Sequence, residues 1–178
     1  QGITKINDET FYNCGFNGNL YLPDGITDID GDAFFACKFR GELVLPKNLK
    51  SIGYWAFSDC SFSGTLHLPA TLLSIGENAF YNNNQLTGTV EIPEKITSIK
   101  ESAFEGCSQI EGLVLPANVE TIQPDAFKNC FNIGSIVCKG AEPAYVKSGA
   151  FDGVPKDNFT VEVPESAVAQ YRTVVGWN

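Results

Sequence analysis

With 178 residues and 43% hydrophobic content the chain is long enough to bury one core, and its 19% charged residues exclude disordered and fibrous classes. Its apolar runs are a few residues long, far short of the roughly 20 that a bilayer-spanning helix needs. A net charge of -9 and a pI of about 4.5 set it against nucleic acid and anionic membrane.

The chain opens Gln1-Gly2-Ile3-Thr4, without Met or a basic-then-apolar leader, and so reads as a mature or trimmed fragment that continues upstream into another repeat or a linker. From there one pattern recurs. Ile stands at 6, 29, 52, 75, 99 and 122, and five residues after each comes Phe, at 11, 34, 57, 80, 104 and 127. Ala precedes every one of these Phe residues but the first, which follows Thr10. Three residues after Phe comes Cys at 14, 37, 60, 107 and 130, while the fourth copy has Asn at 83 or 84. Each copy closes with an apolar pair around one residue: Leu20/Leu22, Leu43/Leu45, Leu66/Leu68, Val90/Ile92, Leu113/Leu115 and Ile136/Cys138. Pro follows the first five pairs. Several columns fixed at 23- to 24-residue intervals mark an internal repeat, and with it a solenoid.

Spacing assigns each piece. Leu-x-Leu-Pro is a short strand with two inward side chains, ended by a residue that cannot donate to a ladder. A strand this short is stable only if neighbouring coils supply its hydrogen bonds, so the strands form a parallel sheet along the stack. The Ile-to-Phe return is too short for a regular helix; it predicts an extended piece through Ile and a tight turn that places Phe inward. Six Phe rings then form a spine, with Ala beside each because a larger residue would strike the next coil.

Residues 1–138 thus carry six repeats, and 139–178 form a closing unit of the same structural domain. Ala150-Phe151 repeats the Phe signal, Thr160 to Val163 alternates as a strand ending at Pro164, and Ser166 to Val175 predicts a helix stopped by Gly176. Trp177 is placed to fold back onto the last coil. A solenoid needs such a unit to cover the open end of its core.

The string Leu66-His67-Leu68-Pro69, with Leu72, Ser74-Ile75-Gly76 and Ala79-Phe80, resembles the leucine-rich repeat of BspA-like bacterial surface proteins, over roughly residues 1–138. The end also resembles that family's closing segment, in Val163-Pro164, Tyr171 and Gly176-Trp177. The resemblance implies a right-handed, mainly β leucine-rich-repeat coil, with turns or short second strands on the return side and a strand-helix cap. It further implies a secreted or surface-anchored protein, and some members adhere to host matrix proteins or other cells. Departures are the Asn in the Cys column, the extra residue of that repeat, and Lys100 and Gln123 where Gly53 and Gly76 stand in earlier copies.

Motifs for chemistry are weak. The cysteine column spreads its thiols along a line, whereas zinc needs four ligands converging on one point, so the thiols are expected to pack as small buried groups. Asp28-Ile29-Asp30-Gly31-Asp32 resembles the start of a calcium loop, but its Gly comes one position early and no closing Glu follows. His67, the single histidine, lies seven residues after Cys60 on a different column. Neither a phosphate-binding loop nor a dinucleotide fingerprint is present. The sequon Asn158-Phe159-Thr160 matters only in a eukaryotic secretory pathway. The expectation is a chain without catalytic, cofactor or metal site.

A partner is expected on the outward side of the strands, where Tyr21, Val44, His67, Glu91, Val114 and Val137 form one strip, flanked by mostly small polar residues from Asn19 to Ser135. Val and Tyr also suit any pleated surface, so strand propensity alone accounts for the same residues. A second face runs through Thr27, Lys50, Leu73, Thr97 and Glu120. The first reading is a monomeric, extracellular or cell-surface adhesion module that presents the strip to a protein or glycan. The alternative is a structural stalk holding another domain away from the cell.

Overall fold

The computed structural model describes residues 2–157, 159–174 and 176–177, and they wind into a β-solenoid of about seven coils with almost no helix. Three parallel hydrogen-bond ladders, two of them interrupted once, join successive coils. The first runs through the Ile column: strands Lys5–Ile6, Asp28–Ile29, Ser51–Ile52 and Ser74–Ile75 pair in register, as do Ser98–Ile99, Thr121–Ile122 and Tyr145–Val146. The second runs through the Leu pairs. Leu20–Tyr21 pairs with Leu43–Val44, and Ser63–Thr65, Gln85–Glu91, Ile110–Leu115, Ser135–Cys138 and Thr160–Glu162 make a five-stranded sheet. The third lies in the turns, where the N–H of each core Phe donates to the carbonyl of the Ala one coil ahead, from Phe11 to Ala33 (2.8 Å) through Phe127 to Ala150 (2.8 Å).

Of the turns or short second strands expected on the return side, the structure has two-residue strands, in one sheet of four and one of three. The Ile ladder breaks between Ser74–Ile75 and Ser98–Ile99, where the repeat lengthens by one residue, while the turn bond from Phe80 N to Ala103 O (2.9 Å) carries the coil across. Ser98 Oγ, at this break, is the buried side-chain polar atom left without a partner among the described residues.

Burial explains the columns. Phe34, Phe57, Phe80, Phe104 and Phe127 are fully buried, and with half-buried Phe11 and Phe151 they form a single file. Neighbouring rings have centroids 5.1 to 5.6 Å apart and planes within 19° of parallel. Such pairs contribute about 0.5–1.5 kcal/mol each beyond the area they bury. A second row, Phe16, Phe39 and Phe62, packs edge-on against the first three rings of the file. The Ala before each ring, from Ala33 to Ala150, is inaccessible to solvent, as expected of a site pressed against the next coil.

The turns are tight because they enter the left-handed region twice, two residues before and two after each ring. Glu9, Asp32, Trp55, Asn78, Ser102 and Asp125 hold the first position with φ between 50° and 57°. Asn13, Ala36, Asp59, Asn82 and Asn129 hold the second in five of the coils. Asn and Asp tolerate this conformation; bulkier L-residues pay about 1–2 kcal/mol in it. Gly53 has a different reason. A Cβ there would lie 2.5 Å from the Gly31 nitrogen and 2.8 Å from the Asp30 oxygen of the preceding coil. Gly53→Ala is expected to cost about 1–3 kcal/mol in urea unfolding through backbone displacement; an unchanged midpoint would mean that the coils separate freely at this edge.

The C-terminal unit extends the coil before ending it. Thr160–Glu162 adds a strand, Tyr145–Val146 another, and Phe151 the last ring. The expected helix over 166–175 is shorter than predicted: a 3₁₀ turn at Glu165–Ala167 leads into one α-helical turn, Val168–Tyr171, and Val175 lies outside the described residues. Tyr171 is buried with its hydroxyl donating to Gly140 O (3.2 Å), and the Thr173 hydroxyl donates to Gln170 O (2.8 Å), offering the backbone a local alternative to helix. Trp177 folds back as expected, its Nε1 donating to Ala144 O (2.8 Å) and its ring 6.0 Å from that of Phe151.

Candidate functional site

The outward positions of the strands form the strip expected from the repeat, in two registered sections. Tyr21 lies opposite Val44, and Glu91, Val114 and Val137 lie side by side. His67 falls between the sections: the third strand is assigned to Ser63–Thr65, one step earlier than the Leu66/Leu68 pair, and His67 is exposed just beyond it. Tyr21 is 63% exposed and Val44 42%, whereas Val114 and Val137 are half-buried. A seventh member, Glu162, pairs with Val137. Sequence reasoning passed over it, although Val161-Glu162-Val163-Pro164 repeats the strand signature of the earlier coils.

The flank is polar and partly locked. Asn19 Nδ2 donates to the Tyr21 hydroxyl (2.7 Å), while Asn19 Oδ1 accepts from Glu42 N (2.9 Å), tying the first two coils together beside the strip. Glu91 is held by Lys139 Nζ at 3.0 Å, and the same ammonium reaches Glu94 at 4.0 Å. These groups are exposed, so the pair orients more than it stabilises. On the second face, Leu73 is 55% exposed.

The structure keeps apart the thiol and the imidazole that stand seven residues apart in the sequence. Cys60 is fully buried and His67 exposed. In the acidic segment, Ser51 Oγ (2.5 Å) and Thr27 Oγ1 (2.7 Å) donate to Asp28 and hold its carboxyl below the usual range. Asp30 pairs with Lys5 Nζ at 2.8 Å. Burial, followed by the charges of Asp8 and Glu9, pushes the Asp32 carboxyl up. Among the described residues no three His, Cys, Asp or Glu side chains converge to hold a metal ion, and Asn158 of the sequon lies outside them. At the C-terminal end a cleft of about 760 Å³ opens beside Val146, Phe151, Phe159, Val161 and Trp177, with Asp152 the carboxylate in its lining.

The cysteines serve the turn. Sγ of Cys37 donates to Phe11 O (2.9 Å), Cys60 to Phe34 O (3.0 Å), Cys107 to Phe80 O (3.1 Å) and Cys130 to Phe104 O (3.2 Å). Each thiol therefore bonds the core-Phe carbonyl of the preceding coil. In the fourth coil the place belongs to Asn83, whose amide donates to Phe57 O (2.7 Å). Donation requires a protonated thiol, and burial supplies it: Cys107 is pushed well up and Cys130 to about 12, as is buried Cys138 in the strand outside this column.

Two outcomes are expected. In the native protein a thiol reagent near neutral pH should modify half-buried Cys14 and spare the five buried thiols, all six reacting in urea. Stability should be fully present below pH 9, where both states hold their thiol protons, and should fall as pH rises from about 9 towards 12. In that window the unfolded thiols ionise while the folded ones stay protonated. Urea midpoints that stay level across it would contradict the thiol ladder.

Among curated protein sequences none matches this chain. In fold the chain resembles a leucine-rich cell surface protein from Faecalibacterium prausnitzii, with a TM-score of 0.60 and 24% identity over 82% of this chain and 45% of that one. It also resembles a leucine-rich repeat protein from Bacteroides ovatus, with a TM-score of 0.54 and 18% identity over 92% of this chain and 65% of that one. The chain thus spans less than two thirds of either. No helix among the described residues is long and apolar enough to cross a membrane. Residues 4–134 match the model of the BspA type leucine rich repeat region in six copies, and the chain belongs to that family.

Proposed function

We propose that the chain is a non-catalytic binding module of a cell-surface or secreted protein, one that presents its strand face to a protein partner and acts as a monomer. Its six repeats, residues 1–138, build the face up to Val137, and residues 139–178 add Glu162 to it and close the core. The observation that supports this reading most is the registered outward strip, with exposed Tyr21 and Val44 at one end, Val114 and Val137 at the other, and polar side chains along its edge. An exposed tyrosine beside apolar surface within a polar rim matches the layout of a protein interface. The surface location draws on the family and on the Faecalibacterium cell surface protein that shares the fold.

The test uses an immobilised extracellular-matrix preparation as the probe. The chain should bind it saturably, and Tyr21→Ala combined with Val114→Asp should weaken binding about tenfold or more, the loss expected when interface anchors are removed. Binding that is unchanged in the double variant would reject the strip. Absence of saturable binding would favour a stalk.

A further inference from the structure

A second surface lies on the turn edge, away from the strand face. Tyr12 stacks on Phe35 with centroids 5.1 Å apart, Phe35 meets Trp55 at 5.8 Å, and Trp55 meets Tyr81 at 5.5 Å. One aromatic row thus crosses four coils. Tyr12 is 48% exposed, and the other three are half-buried at the surface rather than in the core.

Trp55 stands out within it. It occupies the left-handed turn position with φ 53°, a place where the other coils have Glu9, Asp32, Asn78, Ser102, Asp125 and Gly149. A bulky side chain there is a conformational outlier, and Asn would fold more easily. Packing within the core does not explain it, because its ring lies on the surface row.

Carboxylates border the row on its N-terminal side. Glu9 and Asp32 share the Trp55 column, and Asp8 accepts a hydrogen bond from the hydroxyl of exposed Tyr54 (3.4 Å). Gly31 leaves room for that tyrosine, since a Cβ there would meet its ring. Among the described residues no ion pair engages Asp8, Glu9 or Asp32. Burial and then the charges of Asp8 and Glu9 push the Asp32 carboxyl up, and the Asp8 charge, foremost, pushes the Tyr54 hydroxyl up.

We propose that this turn edge binds an arginine-bearing cationic segment of a protein, with guanidinium groups stacked on the Trp55–Phe35 row and paired with Asp8, Glu9 and Asp32. A guanidinium is planar, stacks on aromatic faces and forks onto carboxylates, so one side chain uses both features of the surface. A segment carrying several satisfies three carboxylates that the chain itself leaves without a cation. The site is separate from the strand strip and does not depend on it.

The experiment titrates the full chain with an alternating Arg-Gly peptide and with its Lys-Gly and Glu-Gly counterparts at physiological ionic strength, reading the heat of binding by isothermal titration calorimetry. Saturable binding of the Arg peptide is expected, with the Lys peptide about tenfold weaker and the Glu peptide inert. Trp55→Asn, which suits the turn, should retain or raise Tm while weakening the Arg peptide about tenfold. Asp32→Asn should weaken it as well, and Val114→Asp should leave it unchanged. Equal binding of the Arg and Lys peptides, full affinity in Trp55→Asn, or preference for a neutral oligosaccharide over the Arg peptide would each overturn the proposal.

Discussion

Phe80→Ala is expected to lower the free energy of unfolding by about 3–5 kcal/mol, the range for a fully buried Phe replaced by Ala. Phe80 sits mid-file, inaccessible to solvent, stacked on Phe57 at 5.6 Å and on Phe104 at 5.4 Å. The backbone ladders hold the neighbouring rings in place, so they cannot collapse into the space, and the cavity term persists. In a chain of this size the corresponding loss is about 6–20 °C in Tm. Phe11→Ala should cost clearly less, because that ring is half-buried at the end of the file. Because repeats are stabilised by their neighbours, the central lesion should also broaden the urea transition by uncoupling the two halves. A Phe80→Ala chain that loses less than about 1 kcal/mol would show that the file is not the core.

Asn83→Leu is expected to be nearly as damaging, although Leu has a similar size and the site is fully buried. The Asn83 amide donates to Phe57 O (2.7 Å) and Phe80 O (3.1 Å), and its carbonyl accepts from Phe62 N (3.3 Å). Leu would satisfy none of them: Phe57 O and Phe62 N would lose their partner, while Phe80 O keeps its bond from Cys107 Sγ (3.1 Å). Buried backbone groups left unsatisfied cost about 1–3 kcal/mol each, so the loss should reach about 3 kcal/mol. Asn83→Cys restores the donor that Cys60 and Cys107 supply in the adjoining coils, and should cost markedly less than Leu. Chemical denaturation of the two variants side by side checks this; equal losses would remove the hydrogen-bond account of the column.

The contrast between these two sites shows what the sequence made legible. The Phe file, the Ala beside it and the Ile strands followed from interval and hydrophobicity, because burial in a repeat acts on every copy alike. Phe151 followed from the same signal one coil later, and the return of Trp177 from the helix stop at Gly176 before it. What one residue does alone was harder to read. Asn83 stands out as a departure from a Cys column, but its worth as a donor depends on carbonyl positions that only the coil fixes. The short helix at Val168–Tyr171 was overestimated because helical propensity was read without the competing Thr173 bond. The outward strip was named residue by residue, yet the third strand shifted to Ser63–Thr65 and left His67 beyond its end. Trp55 drew no notice, since nothing in its spacing reveals a left-handed backbone.

The most direct measurement of the coil, on which both proposed surfaces depend, is a set of distances between spin labels on its outer face. Labels at Tyr21 paired in turn with Val114, Val137 and Glu162 should separate by about 5 Å more for each added coil, the spacing of hydrogen-bonded strands. The ladder registers place Val114, Val137 and Glu162 on consecutive coils. Distances that rise evenly in that order support one continuous stack with an unbroken face. Distances out of order, or equal for all three pairs, would contradict it.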